Sequence, residues 1–153
     1  MLWLKITVNG RQCHASTPGA GVNSLAGAAL FILKIAKLHD RFNTKNPLFV
    51  PANSTFEPTK KEANVENINT IPGRDAFYVD CRVLPEYDLD DVLAAIRELG
   101  AEVEAACGVT MDYEIVQKEQ AAPATEASAP AVTRIMCFLR HINAAAPPGE
   151  VLH

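Results

Sequence analysis

Three residues of this chain have the type and setting to act on a small ligand: His14, Asn69 and Arg82. His14 ends a strand arm just before the Pro18-Gly19 turn, where a rigid element can present an imidazole at an edge. The same position suits a plain surface histidine. Asn69 lies in an irregular stretch, where asparagine is common for turn geometry alone. Arg82 shares the polar face of an alternating segment with Tyr78 and Asp80. It can form an ion pair of little energetic weight, or it can grip a carboxylate with two hydrogen bonds.

Other chemistries find less support. The four histidines are His14, His39, His141 and His153, and none begins an HxD or HExxH pair. No Glu-Glu dipeptide, GxSxG elbow or P-loop glycine pattern occurs, so this stretch carries no recognisable zinc cage, nucleophile elbow or nucleotide cradle. Cys13-His14 cannot act as nucleophile and base on a strand, because adjacent side chains point to opposite faces. A zinc site from Cys13, His14, Cys137 and His141 is conceivable, but the four cysteines lack paired-ligand spacing. They read better as small buried thiols of a reduced chain. Asp88, Asp90 and Asp91 suit a helix start better than a calcium loop, which would need a central glycine and a terminal glutamate.

The elements that would position these residues follow from periodicity. Residues 3–8 alternate, with Leu4, Ile6 and Val8 on one face, which predicts a half-buried strand. Asn9-Gly10 then predicts a hairpin turn, with residues 11–16 as the returning arm. Helical spacing of Val22, Leu25, Ala26, Ala29, Ile32, Leu33 and Ala36 predicts a helix over 23–39, capped by Asn23 or Ser24. A short strand is expected over 54–59, confined by Pro58 to a sheet edge, and a loop over 64–73. Phe77, Val79, Cys81 and Val83 alternate with polar neighbours. A second helix begins after Asp88 and ends at Gly108. Residues 110–116 form the last strand.

This order predicts an α+β, ferredoxin-like βαββαβ sandwich: a four-stranded, mainly antiparallel sheet with two helices on one face. The domain spans 2–118. Residues 119–153 read as an Ala/Pro/Thr/Ser-rich linker, an amphipathic helix over about 131–142 whose apolar residues lack a partner, and a frayed end over 144–153.

Composition bounds the partners. The chain has 153 residues, 48% hydrophobic and 21% charged, with a net charge of −4. It can bury roughly 68–70% of its unfolded surface, so it needs neither disulfide nor metal to fold. Negative charge and few aromatics argue against nucleic acid. No apolar run approaches a bilayer span and no signal peptide is recognisable, which predicts no membrane partner and a cytoplasmic location.

Two blocks resemble a known family. WLKITVNGRQC followed by HASTPGAGVNSLAGA is similar to the entry of the lid, or dimerisation, domain of the zinc-dependent amidohydrolases. That family includes succinyl-diaminopimelate desuccinylase, acetylornithine deacetylase, aminoacylase and carboxypeptidase G. NTIPGRDAFYVDCRVLPEYDLDDV resembles its Asn-x-Ile-Pro, its Asp-x-Arg strand and its Leu-Pro-Glu before the second helix. Both occur in family order, and the resemblance covers about 2–118.

The resemblance implies that the lid interrupts a larger catalytic domain holding zinc (or cobalt), whose motifs this sequence lacks, so that no cofactor belongs to this chain. It implies a homodimer through the lid, with the Pro58 strand as one sheet edge and the opposite edge or the first helix as the contact. His14 matches the lid histidine that reaches into the partner's active site and stabilises the tetrahedral intermediate. Asn69 matches a substrate-binding asparagine, and Arg82 the arginine that grips the substrate carboxylate. The implied function is the dimerisation and substrate-clamping domain of an N-acyl amino-acid amidohydrolase of desuccinylase or deacetylase type, in amino-acid biosynthesis, the chain being a fragment inactive alone. A non-enzymatic dimerisation module and a regulatory amino-acid-binding domain are the alternatives.

Overall fold

The structure is a computed structural model and describes residues 1–122 and 128–145. The expected linker falls partly, and the expected frayed end mostly, outside those residues. Two units are described separately, Met1–Ala121 and Ala122–His153.

The first unit is built around β1 (Leu2–Asn9), whose Leu2, Leu4, Ile6 and Val8 are wholly buried. Being apolar at every second position, β1 can fill the middle of a sheet covered on one face. It pairs antiparallel with β5 (Arg74–Arg82) from Leu2↔Cys81 to Asn9↔Arg74. Its other side pairs with β6 (Thr110–Lys118), beginning at Leu2↔Lys118, with an irregularity at Trp3/Leu4. β3 (Thr55–Lys61) pairs with β5, giving the order β3-β5-β1-β6. This is the ferredoxin-like arrangement the sequence predicts. Pro58 sits on an edge strand, as its missing N–H requires.

Two main helices cover the sheet. α1 (Ser24–Ile35) is capped by Asn23, whose Oδ1 accepts from the Ala26 amide at 3.1 Å. The helix expected over 23–39 is broken. Beyond Ile35 the bonds tighten to i→i+3, Lys37 N–H to Lys34 C=O and His39 N–H to Ala36 C=O. The chain re-forms as α2 (Leu38–Arg41), which turns Leu38 into the core. α3 (Leu89–Cys107) runs from an Asp88 cap to Gly108, which stands at φ 70°. Phe31 of α1 meets Phe77 and Tyr113 edge-on at 5.9 and 6.4 Å between ring centres, joining helix to sheet.

The expected hairpin at Asn9-Gly10 does not form. β1 pairs with β5 and β6, and no residue there has positive φ. Gly10 instead donates its N–H to Gly73 C=O at 2.7 Å, while Arg11 and Val22 exchange both backbone bonds. A Cβ on Gly10 would lie 2.1 Å from the Val22 carbonyl oxygen, so glycine serves close approach here rather than a left-handed turn. The arm beyond it forms β2 (Cys13–His14), paired with β4 (Thr70–Ile71) inside the stretch read as loop.

In the second unit, α4 (Pro130–Ala145) is the helix expected near 131–142. Its Ile135, Met136, Phe138 and Leu139 are exposed. No helix among the described residues is long and apolar enough to cross a membrane.

Candidate functional site

β2 carries His14 on a two-stranded ribbon beyond the Arg74 end of β5. The ribbon is pinned by Cys13↔Ile71 and His14↔Thr70, and by Ala15 N–H donating to Asn69 C=O at 2.8 Å. The chain then turns back, Thr17 N–H donating to His14 C=O at 3.0 Å, and enters a 3₁₀ turn at Pro18–Ala20. His14 and Asn69, 55 positions apart in sequence, are thereby brought together: His14 Nε2 lies 3.3 Å from Asn69 Nδ2. On the other side of the ring, Ser16 N–H donates to Nδ1 at 3.1 Å, and Ser16 Oγ lies 2.7 Å from the same nitrogen. All three side chains are exposed, so they can reach a ligand.

Arg82 ends the same strand β5 at which the ribbon begins. Its Nη2 donates to Asp80 Oδ2 at 2.9 Å, its Nε lies 2.8 Å from Asp80 Oδ1, and its guanidinium stands 5.6 Å over the Trp3 ring. Trp3 is directly opposite Asp80 in the β1–β5 register. Asp80 thus holds one side of the guanidinium and leaves Nη1 for another acceptor. A groove of about 310 Å³ opens beside it, lined by Phe49, Val50, Pro51, Val83 and Leu84. Farther along this sheet face, Lys5 Nζ and the Tyr78 hydroxyl bond Glu62 and hold its carboxyl below the usual glutamate range.

The three residues therefore form two places, not one. At about 3.3 Å per residue, the nine residues of β5 separate the ribbon end from Arg82 by on the order of 26 Å. A small N-acylated amino acid cannot touch both in one protomer. The polar face of β5 was readable from alternation, but this separation depends on register. Ser16 and Trp3 were not singled out in the sequence. A serine two residues after the histidine, before Pro-Gly, is the turn signal that points to Ser16; Trp3 needs the strand pairing.

The residues present do not fit a catalytic metal: among the described residues no three His, Cys, Asp or Glu side chains converge on a metal position.

Residues 1–106 match the family model described as the peptidase dimerisation domain. The chain is 38% identical over 135 residues to an uncharacterized metallohydrolase of Methanococcus maripaludis, a match covering 79% of this chain and 32% of that protein. A second such metallohydrolase, of Methanocaldococcus jannaschii, is 42% identical over 99 residues, 64% of this chain and 24% of that one. The chain thus spans about a third or less of these relatives. Among solved structures, an amidase of the hydantoinase/carbamoylase family from Burkholderia vietnamiensis shares the fold, with a TM-score of 0.72 at 21% identity. That match covers 92% of this chain and 32% of the amidase.

Proposed function

The chain belongs to the peptidase dimerisation domain family, and on that premise we propose that it is the dimerisation and substrate-clamping part of a zinc-dependent N-acyl amino-acid amidohydrolase. The observation that carries this reading is the placing of two polar groups at opposite ends of β5, one on the β2–β4 ribbon and one on the strand itself. A donor cluster, His14 with Asn69, stands beyond one end; a guanidinium with a free edge stands at the other.

The residues divide the work by their chemistry. The His14 imidazole N–H suits an oxygen that gains charge as water adds to an amide carbonyl, where a placed donor is worth about 10²–10³ in rate. Asn69 holds the substrate beside it. Arg82 takes the free carboxylate on the edge Asp80 leaves open, and the apolar groove beside it accepts the rest of an amino acid. Because the two places are a strand length apart, one lid serves two active sites: Arg82 one, His14 and Asn69 the other. A homodimer makes each site whole. The metal belongs to residues outside this chain, and so does the attacking water. The desuccinylase and deacetylase activities are the nearest family members to this reading, and a cytoplasmic, biosynthetic setting accompanies it.

α1 supplies a dimer contact. Leu25 and Leu33 are 40% and 75% exposed, with Ala29 exposed between them, a stripe at i, i+4 and i+8. Exposed leucines in line on a helix at the flank of a sheet suit a second copy of the same helix.

Kinetics of the full-length protein that carries this domain test the reading. Arg82→Ala should raise KM with kcat little changed, because a carboxylate is held in ground and transition states alike. His14→Ala should lower kcat with KM little changed. Wild-type kcat in His14→Ala overturns the oxyanion role, and wild-type KM in Arg82→Ala overturns the clamp.

A further inference from the structure

We propose that Ser16 is a positioning residue that fixes His14 in its Nε2–H tautomer, so that the ring N–H and the Asn69 amide offer two donors to one oxygen. The inference rests on the oxyanion reading of His14 for its purpose, but not for its geometry.

A neutral imidazole has one donor nitrogen and one acceptor nitrogen, and its neighbours decide which is which. The Ser16 backbone N–H can only donate, and it points at Nδ1 from 3.1 Å. Nδ1 must therefore be the unprotonated nitrogen. The Ser16 hydroxyl, 2.7 Å from the same atom, avoids a lone-pair clash only by donating as well. The ring proton is thus left on Nε2, the nitrogen that faces Asn69.

This assignment gives the 3.3 Å approach of Asn69 Nδ2 to His14 Nε2 a meaning. Both groups are donors in this orientation, so neither satisfies the other. They converge. A ligand oxygen at an ordinary hydrogen-bond length of about 2.9 Å from each would complete a nearly equilateral triangle. Such a pair binds an oxygen that carries charge better than a neutral carbonyl, and this is the preference that accelerates a reaction. With no acceptor between them, the Asn69 amide can turn over and present Oδ1 to the ring N–H. Either arrangement requires the proton on Nε2. The opposite tautomer would set Nδ1–H against Ser16 N–H and leave Nε2 a lone pair, unable to hold an anionic oxygen.

Nitrogen-15 spectroscopy of the His14 ring in the 153-residue chain reads the tautomer directly, above the usual histidine titration range. Wild type should show a pyridine-like Nδ1 and a pyrrole-like Nε2. Ser16→Ala keeps the backbone donor and loses the hydroxyl, so its ring should shift measurably toward tautomeric averaging; Ser16→Thr should restore the wild-type signature. In the full-length enzyme, Ser16→Ala should lower kcat several-fold with KM unchanged, and Ser16→Thr should recover it. A protonated Nδ1 in wild type overturns the assignment, and an identical tautomer ratio in wild type and Ser16→Ala overturns the part given to the Ser16 hydroxyl. If His14→Ala leaves kcat intact while the tautomer responds to Ser16, the oxyanion reading fails and the fixing of the ring stands.

Discussion

Mixing two subunits, each with a lowered kcat/KM, tests the division of labour across β5. In the full-length enzyme, let one subunit carry His14→Ala and the other Arg82→Ala. The ribbon end and Arg82 lie on the order of 26 Å apart, so on the proposed division each active site would draw one group from each lid. In the mixed dimer, one site then receives an intact Arg82 from the first subunit and an intact His14 from the second. The other site receives both defects. One working site per mixed dimer is half of wild type. Random association makes half of all dimers mixed, so at substrate concentrations far below KM co-refolded subunits should recover roughly one quarter of wild-type kcat/KM per dimer. The assay is turnover of an N-acyl amino acid after co-denaturation and refolding, set against each mutant refolded alone. If both groups came from a single lid, every site in the mixed dimer would carry one defect, and activity would stay at the level of the single mutants. That result would refute the separation argument, whatever the mutants do singly.

Three further outcomes concern the scaffold. Phe31→Ala deletes a wholly buried ring that packs edge-on against Phe77 and Tyr113, and it should cost about 3–5 kcal/mol in denaturant unfolding. Burial pushes the Cys81 thiol from 9.0 up to about 12 and the Tyr113 hydroxyl from 10.0 to about 12. Above pH 9 the unfolded chain releases protons that the folded chain keeps, so stability present below that pH should be lost as the pH rises toward 12. Urea titrations at pH 8 and pH 11 should show this, and Cys81→Ala should remove the thiol's share, about 2.7 kcal/mol at most at pH 11. Gly10→Ala forces a Cβ within 2.1 Å of the Val22 carbonyl oxygen; it should destabilise by about 2 kcal/mol or more and broaden the His14 amide resonance while the β1–β5 amides keep their protection.

The alternation of Leu2, Leu4, Ile6 and Val8, and of Phe77, Val79 and Cys81, was legible because a sheet with one covered face imposes a period of two. Asp88 and Gly108 marked their helix ends for equally local reasons. Asn9-Gly10 misled, because the same dipeptide serves a left-handed turn or a tight backbone crossing, and Val22, a dozen positions away, decides between them. The β4 pairing leaves no mark in the sequence, because two residues are too few to show a period. The break after Ile35 arises from the burial of Leu38 against the sheet, which a smooth helical period does not reveal. At the site, the residue types of His14, Asn69 and Arg82 could be read, together with the polar face of Arg82. Their distribution over two ends of a strand could not, since it follows from register and from the ribbon that carries His14.

The first strand of the sheet starts where the last one stops. Leu2 lies opposite Lys118, and the Glu119 N–H donates to the Met1 carbonyl at 2.8 Å. A domain whose two ends meet can be spliced into a surface loop of another domain at little loop-closure cost, because the host need not open a gap to admit it. Two adjacent strands leaving at one point also make a natural hinge. The whole sheet can then swing as a rigid body about that point, carrying Arg82, which is near it, through a short arc and His14, a strand length away, through a long one.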